Sequence, residues 1–398
     1  MNGKNSWLRV IIRVISYVLV AALSCALTLA FWGGKGYSKL SELQAILERQ
    51  FIGETDSVLL QDAAADAMVQ ALGDRWSFYI PAEELNSYQD NKNNAYVGVG
   101  ITVQLREDKT GFDIVAVTPG GSAQEAGILA GDILIEVDGQ SVEDMIADQV
   151  AVLVKGEEGS AVTVTVTRAG ERKTFTMERR TIKVVVASGE LLPENIGLVR
   201  IENFNTNCAK ETIAVIESLQ QQGAKALIFD VRNNPGGYVH EMLEVLDYLL
   251  PEGVLFRTED YLGRQDTRYS DEKCLGLPMM VLANGDSYSA AEFFAAALRE
   301  YNWAKVVGEK TVGKGYYQNT LMLSDGSAVN LSTGKYFTPN GVNLTEAGGL
   351  TPDLTVAVDE ETAMKIYAKA LPVAEDPQVQ AAVTAILEAK PDKITEKQ

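Results

Sequence analysis

The sequence predicts an α/β core preceded by a smaller, mainly β unit, with helical segments on both flanks and an apolar helix at the N-terminus. Three observations carry this reading. Short apolar runs at 198–201, 226–231, 279–283 and 306–307 alternate with helical stretches such as 209–222, the pattern of a sheet covered on both faces. Val162, Val164 and Val166 alternate with Thr163, Thr165 and Thr167, a period-two strand. Residues 14–32 contain no charged side chain.

The spacing divides the chain into 1–37 (tail and anchor), 38–90 (helical), 91–180 (mainly β), 181–359 (core) and 360–398 (terminal helices). In the first part Lys4, Arg9 and Arg13 stand without an acid before the uncharged run. Its 19 residues rise about 28 Å as a helix, close to the thickness of a bilayer's hydrocarbon. The basic flank stays cytoplasmic, so the expectation is a single-pass cell-membrane protein with its remainder outside the cytoplasm. A cleaved signal peptide is the rival reading, given small residues such as Ala26 and Ala30; Phe31 and Trp32 favour a retained anchor. Segments 40–51 and 57–72 have helical periodicity and would pack on the body or on a second copy.

The third part opens with Val97, Gly98, Val99, Gly100 and Ile101. Consecutive N–H groups there could receive a peptide's terminal carboxylate while the next strand adds the peptide to the sheet edge; plain turns are the other reading. In the core, the strand 226–231 runs into Asp230, Val231, Arg232, Asn233, Asn234, Pro235, Gly236 and Gly237, then a helix over 238–250. Val239, Met242, Leu243, Leu246, Leu249 and Leu250 form its apolar stripe, leaving His240, Glu241, Glu244 and Asp247 on the solvated side.

The strand 279–283 leads through a polar turn to Ser289, which opens a helix at a strand-to-helix corner. A hydroxyl there is exposed on a sharp turn beside free helix N–H groups, as a nucleophile needs, although Ser289 with Glu292 also reads as a capping box. After a strand at 304–308, Lys314 lies between Gly313 and Gly315, and in an extended segment Lys314 and Gln318 share a face. A lysine among apolar groups loses its proton more readily and can serve a serine as base; the alternative is an exposed hairpin lysine.

Composition narrows the chemistry. A net charge of −19 and a pI near 4.6 argue against nucleic-acid binding. His240 is the single histidine, and no His or Cys pair has metal-ligand spacing, so neither a metal nor a cofactor is expected. Cys25 lies in the apolar run, which leaves Cys208 and Cys274 as the candidates for a disulfide, with two separate thiols as the default reading.

Asn284, Ser287, Ser289, Ala290 and Glu292, followed by Gly308, Thr311, Gly313, Lys314, Gly315 and Gln318, resemble the C-terminal (tail-specific) processing serine peptidases of S41 type. The serine and lysine stand 25 positions apart, as in that family. The resemblance makes Ser289 the nucleophile, Lys314 the general base and Gln318 the lysine's partner; Tyr288 departs from it, alanine being usual there. The run Arg232 to Gly237 is similar too, and implies that a backbone N–H of Gly236 or Gly237 joins that of Ala290 as an oxyanion hole. Residues 96–180, with Gly127, Gly131 and Asp132, resemble a circularly permuted PDZ domain, which would make residues 97–101 its peptide-binding strip. A core of ClpP/crotonase class, substrates with accessible C-termini and a homodimer formed through the terminal helices are further implications. The expected function is therefore a serine endopeptidase acting on extracytoplasmic proteins. Its rivals are a catalytically inactive, membrane-tethered PDZ scaffold and an acyl-transfer enzyme on the related fold.

Overall fold

The computed structural model describes residues 11, 13–24 and 39–388. Residues 11 and 13–24 are helical. Residues 25–32 of the expected span lie outside the described residues, as does Cys25. Among the described residues no helix is long and apolar enough to cross a membrane; of the span expected at 14–32 they include 14–24. The chain divides into two compact units, 1–79 and 80–398.

In the first unit, α1 (Lys39–Gln50) and α2 (Ser57–Gln70) form a helical pair. Asp56 caps α2 by accepting from the N–H groups of Val58 and Leu59, and Gln44 Nε2 donates to Ser57 Oγ at 2.9 Å.

The second unit begins with α3 (Ala82–Lys92), a helix absent from the sequence reading because its apolar face is short: Leu85 is its one buried residue. Strand β1 (Ala95–Gly98) then leads into the β unit: β2 (Ile101–Leu105), β3 (Phe112–Val117), α4 (Ser122–Ala126), β4 (Ile133–Val137), β5 (Gln140–Ser141), α5 (Ala147–Val154), β6 (Ala161–Arg168) and β7 (Glu171–Glu178). Its sheet runs β2-β3-β4-β6-β7, with β5 paired to β4. The alternation read from 162–167 is real: Val162, Val164 and Val166 are buried, packing with Phe112, Ile114 and Leu134. Strand β8 (Arg180–Lys183) pairs antiparallel with β1, so the segments entering and leaving this unit run side by side.

The core follows: β9 (Ala187–Leu192), β10 (Ile196–Ile201), α6 (Cys208–Gln221), β11 (Ala226–Asp230), α7 (Val239–Leu249), β12 (Gly253–Asp260), β13 (Gln265–Ser270), β14 (Met279–Ala283), α8 (Ala290–Glu300), β15 (Ala304–Gly308), β16 (Tyr316–Met322), β17 (Ala328–Phe337), β18 (Leu354–Thr355), α9 (Glu360–Tyr367) and α10 (Pro377–Glu388). The central sheet runs β9-β10-β11-β14-β15-β18, parallel throughout except for β9. Parallel strands covered on both faces explain the continuous apolar runs: every residue of β11 and of β14 is buried. A second, antiparallel sheet runs β13-β12-β17-β16.

One face of the central sheet carries α6, α7 and α8 around Phe204, Phe229, Phe293 and Phe294, each worth roughly 2–3 kcal/mol when fully buried. Ala290, Ala291, Ala295, Ala296 and Ala297 let α8 lie close against it. The opposite face is covered by α10, through Val379 and Ala382. That terminal helix, which the family resemblance implied for dimerisation, is thus packed on its own sheet. Cys208 and Cys274 are separate free thiols, and burial pushes the Cys208 thiol up to about 12.

His240 is solvated as expected, its side chain 73% exposed. Glu241 is not. Its carboxylate turns inward and accepts from the N–H groups of Asn207 (2.9 Å) and Ala209 (2.8 Å), capping α6, a tertiary use that the periodicity of α7 could not reveal.

Candidate active site

Parallel neighbours β11, β14 and β15 all point their C-terminal ends to one edge of the sheet, and three loops leave that edge together. The loop after β11 carries Asn233, Asn234, Gly236 and Gly237. The turn after β14 carries Ser289, and the segment after β15 carries Lys314. Three sequence-distant motifs are neighbours because the topology makes them so.

The first two loops are joined by side chains. Asn284 Oδ1 accepts from the N–H of Asn233 at 2.9 Å, and Asn284 Nδ2 donates to Asn233 Oδ1 at 2.8 Å. Ser287 Oγ donates to the carbonyl of Val231 at 2.7 Å, and the N–H of Tyr288 donates to that of Asn234 at 3.1 Å. Gly236 has φ of 84° and rides on the serine corner: a Cβ there would lie 2.8 Å from Ser289 Cβ and 2.8 Å from the Ala290 nitrogen. Only glycine fits that approach. The N–H of Gly236 is taken up by Asn234 Oδ1 at 2.8 Å, whereas those of Gly237 and Ala290 have no acceptor among the described residues.

Ser289 holds φ of 57° and ψ of −126°, a strained region for a residue with a Cβ, and immediately precedes α8. It is 4% exposed. Beside its side chain the phenol of Tyr336 is pushed up to about 12 by burial, a hydrogen bond to Ser289 acting in the opposite direction.

Glu292 ties the serine corner to the lysine loop. This fully buried carboxylate accepts through Oε2 from the N–H of Ser289 (3.0 Å) and of Lys314 (2.8 Å). Through Oε1 it accepts from the N–H of Gly313 (2.7 Å) and from Thr311 Oγ1. One helix-capping acid thus fixes the backbones of both residues singled out for chemistry. Further clamps come from Thr345 Oγ1, which donates to the Gly313 carbonyl at 2.9 Å and accepts from the N–H of Gly315 at 2.7 Å. Asn343 Nδ2 donates to the Gly315 carbonyl at 2.9 Å. Lys314 Nζ lies 5.8 Å from the ring centroid of Tyr288, the residue that departs from the family pattern. Gln318 Nε2 donates to Ser332 Oγ at 2.9 Å and to the Tyr316 carbonyl at 3.2 Å.

Arg232, in the loop between β11 and Gly236, is 3% exposed and bonded on both sides: to Asp230 at 2.6 Å and to Asp376 at 2.8 Å. Burial opposes its charge, but the two carboxylates more than reverse this and its pKa is raised. Of these supporting residues, Glu292 and Thr311 stand in the motifs that carry the family resemblance, but nothing in those motifs shows that the carboxylate grips both loops. No chemical role for Asn343, Thr345 or Tyr336 is read from the chain, because their roles depend on segments meeting at the sheet edge.

In the β unit, the N–H groups of Val99 and Gly100 engage no acceptor among the described residues, while their carbonyls accept from Ala123 (3.0 Å) and Thr118 (2.8 Å). Ile101 begins β2, which among the described residues is an edge strand paired with β3. Gly98 is instead the last residue of β1 and pairs with Arg180.

Residues 195–356 match the sequence profile of Peptidase family S41, and residues 114–168 match that of a PDZ domain. A probable CtpA-like serine protease of Staphylococcus aureus (strain COL) is 30% identical over 353 residues, which cover 87% of this chain and 69% of the relative. This chain belongs to the S41 peptidase family. The carboxy-terminal processing protease CtpA of Bacillus subtilis (strain 168) is 32% identical over 314 residues, covering 78% of this chain and 66% of CtpA. The chain therefore spans about two thirds of the length of these S41 relatives. A solved putative S41 protease from Bacteroides fragilis NCTC 9343 shares the fold at 15% identity, with a TM-score of 0.53 and coverage of 87% of this chain and 97% of that one.

Proposed function

We propose that this S41 chain is a serine endopeptidase in which Ser289 is the nucleophile, Lys314 the general base and Gln318 the residue that orients the lysine. The observation that carries the reading is the shared carboxylate: Glu292 bonds the N–H of Ser289 and the N–H of Lys314 from a single oxygen, which keeps the strained serine corner and the lysine loop in fixed register. In the first step neutral Lys314 takes the Ser289 proton as Oγ attacks a peptide carbonyl. The tetrahedral oxyanion is received by the N–H groups of Gly237 and Ala290, the Gly236 N–H being occupied by Asn234. The ammonium returns the proton to the leaving amine, giving an acyl-enzyme. A water then gives its proton to Lys314 and hydrolyses the ester, and the proton returns to Ser289. Each oxyanion donor is worth on the order of 3 kcal/mol.

The edge of β2 with Val99, Gly100 and Ile101 is the proposed seat of the substrate's C-terminus, by strand addition. The uncharged run 14–32 behind Lys4, Arg9 and Arg13 supports placing the peptidase outside the cytoplasm on a membrane anchor.

The test is incubation of the full chain with an unstructured protein. Cleavage is expected, with kcat falling about 10⁴-fold or more in Ser289→Ala and in Lys314→Met. Binding of that protein without any cleavage by the wild type would refute the peptidase in favour of a PDZ scaffold.

A further inference from the structure

Lys92, at the C-terminal end of α3, is a cation that the proposed chemistry does not use. Its Nζ stands 5.9 Å from the ring centroid of Tyr88 and 5.8 Å from that of Tyr238, so its ammonium is held between two aromatic faces. Burial lowers its pKa, and among the described residues no acidic neighbour offsets that, although the chain carries 54 acidic side chains. A half-buried ammonium without a counter-ion has lost part of its hydration and gained only ring faces in return. An anion placed beside it would restore what it lacks.

The position of Lys92 says where that anion would come from. Tyr238 directly follows Gly237, and Phe204 joins them both: its N–H donates to the Gly236 carbonyl and its carbonyl accepts from the N–H of Tyr238, each at 2.7 Å. Two residues on, the N–H of Thr206 donates to the carbonyl of Lys92 at 3.2 Å, and Asn94 Nδ2 donates to that of Thr206 at 2.9 Å. Asn205 Nδ2 donates to the Asn91 carbonyl at 3.1 Å, while Asn205 Oδ1 is buried with no hydrogen-bond partner among the described residues. The end of α3 is thus stapled along the strip that supports the Gly236–Gly237 turn. That strip offers one unspent cation and one unspent acceptor, a pairing suited to the carboxylate and the N–H of a peptide.

We infer that Lys92, resting on the peptidase reading above, is a specificity-determining residue of the substrate cleft: its ammonium, between Tyr88 and Tyr238 and next to the Gly236–Gly237 turn, receives a carboxylate of the bound peptide. The carboxylate comes either from an Asp or Glu side chain or, in a peptide too short to reach the edge of β2, from the peptide's own C-terminus. One charge-assisted contact in a half-buried site should give about a tenfold preference over the uncharged isostere.

Two matched sets of fluorogenic peptides test this with the full chain. In one, Glu is exchanged for Gln at each position flanking the scissile bond; in the other, a free C-terminus is exchanged for its amide. The expected result is a kcat/KM ratio of about ten in favour of the acid in one set, falling to about one in Lys92→Met and retained in Lys92→Arg; the responding set names the source of the carboxylate. Thermal melting of both variants establishes that they fold. A wild type that cleaves every peptide with a ratio of one in both sets, or a Lys92→Met protein that keeps the wild-type ratio, overturns the inference and leaves the peptidase reading standing. If nothing is cleaved, that reading fails. Fluorescence anisotropy of the same peptides on Ser289→Ala, with and without Lys92→Met, then decides the inference: a tenfold affinity ratio that Lys92→Met abolishes upholds it, and equal affinities overturn it.

Discussion

Replacing Glu292 by Gln tests whether the carboxylate does more than cap a helix. The side chain keeps its shape, but one of two acceptor oxygens becomes an NH₂ donor. The native carboxylate takes two donors on each oxygen: the N–H groups of Ser289 and Lys314 on Oε2, and the Gly313 N–H with Thr311 Oγ1 on Oε1. If the NH₂ occupies the Oε2 position, two backbone N–H groups lose their acceptor; if it occupies the other, the Gly313 N–H does. The Thr311 hydroxyl cannot move freely to compensate, because its oxygen also accepts from the N–H of Leu350 at 2.8 Å. Each orphaned buried donor costs about 1–3 kcal/mol, so a loss of about 2 kcal/mol or more is expected, read as a fall of several degrees in Tm. Activity should suffer further, since a shift near 1 Å between reacting groups costs about 10²-fold. The expectation is a kcat about 10²-fold lower with KM changed less than about twofold, because the clamp sets register and does not bind peptide. A folded Glu292→Gln protein with wild-type kcat would refute the reasoning, whatever its Tm.

Gly236→Ala should abolish most activity, with kcat down at least about 10²-fold, because its Cβ would press on Ser289 Cβ and the Ala290 nitrogen in a backbone with φ of 84°; a wild-type progress curve would count against the packing described. Arg232→Met should cost about 3–5 kcal/mol in denaturant unfolding, since it leaves Asp376 buried without its cation and Asp230 with only the more distant Arg200 at 4.0 Å, and should loosen the attachment of α10; a change below about 1 kcal/mol would show the pairs to be dispensable.

Much of the fold was legible in the chain. The apolar runs at 226–231 and 279–283 became β11 and β14 because strands buried on both faces cannot alternate, and 162–167 became β6 because one face of its sheet is more covered than the other. Ser289, Lys314, Gly236 and Gly237 each stand in a motif of contiguous sequence, and they meet because β11, β14 and β15 run parallel as neighbours. Glu241 was misread as solvated because its partners, Asn207 and Ala209, lie more than thirty residues away. Helix α3 was missed because its single buried residue leaves no periodic stripe.

The sequence by itself determined the buried core strands, the order of the motifs and the family, since these rest on periodicity, turn residues and spacing along the chain. Tertiary structure alone decided which glycine N–H remained unspent, that one carboxylate grips both the serine corner and the lysine loop, and that Lys92 stands beside two rings without a counter-ion among the described residues. The reason is physical: hydrogen-bond satisfaction and desolvation depend on what surrounds a group in space, and those surroundings come from segments that only folding brings together.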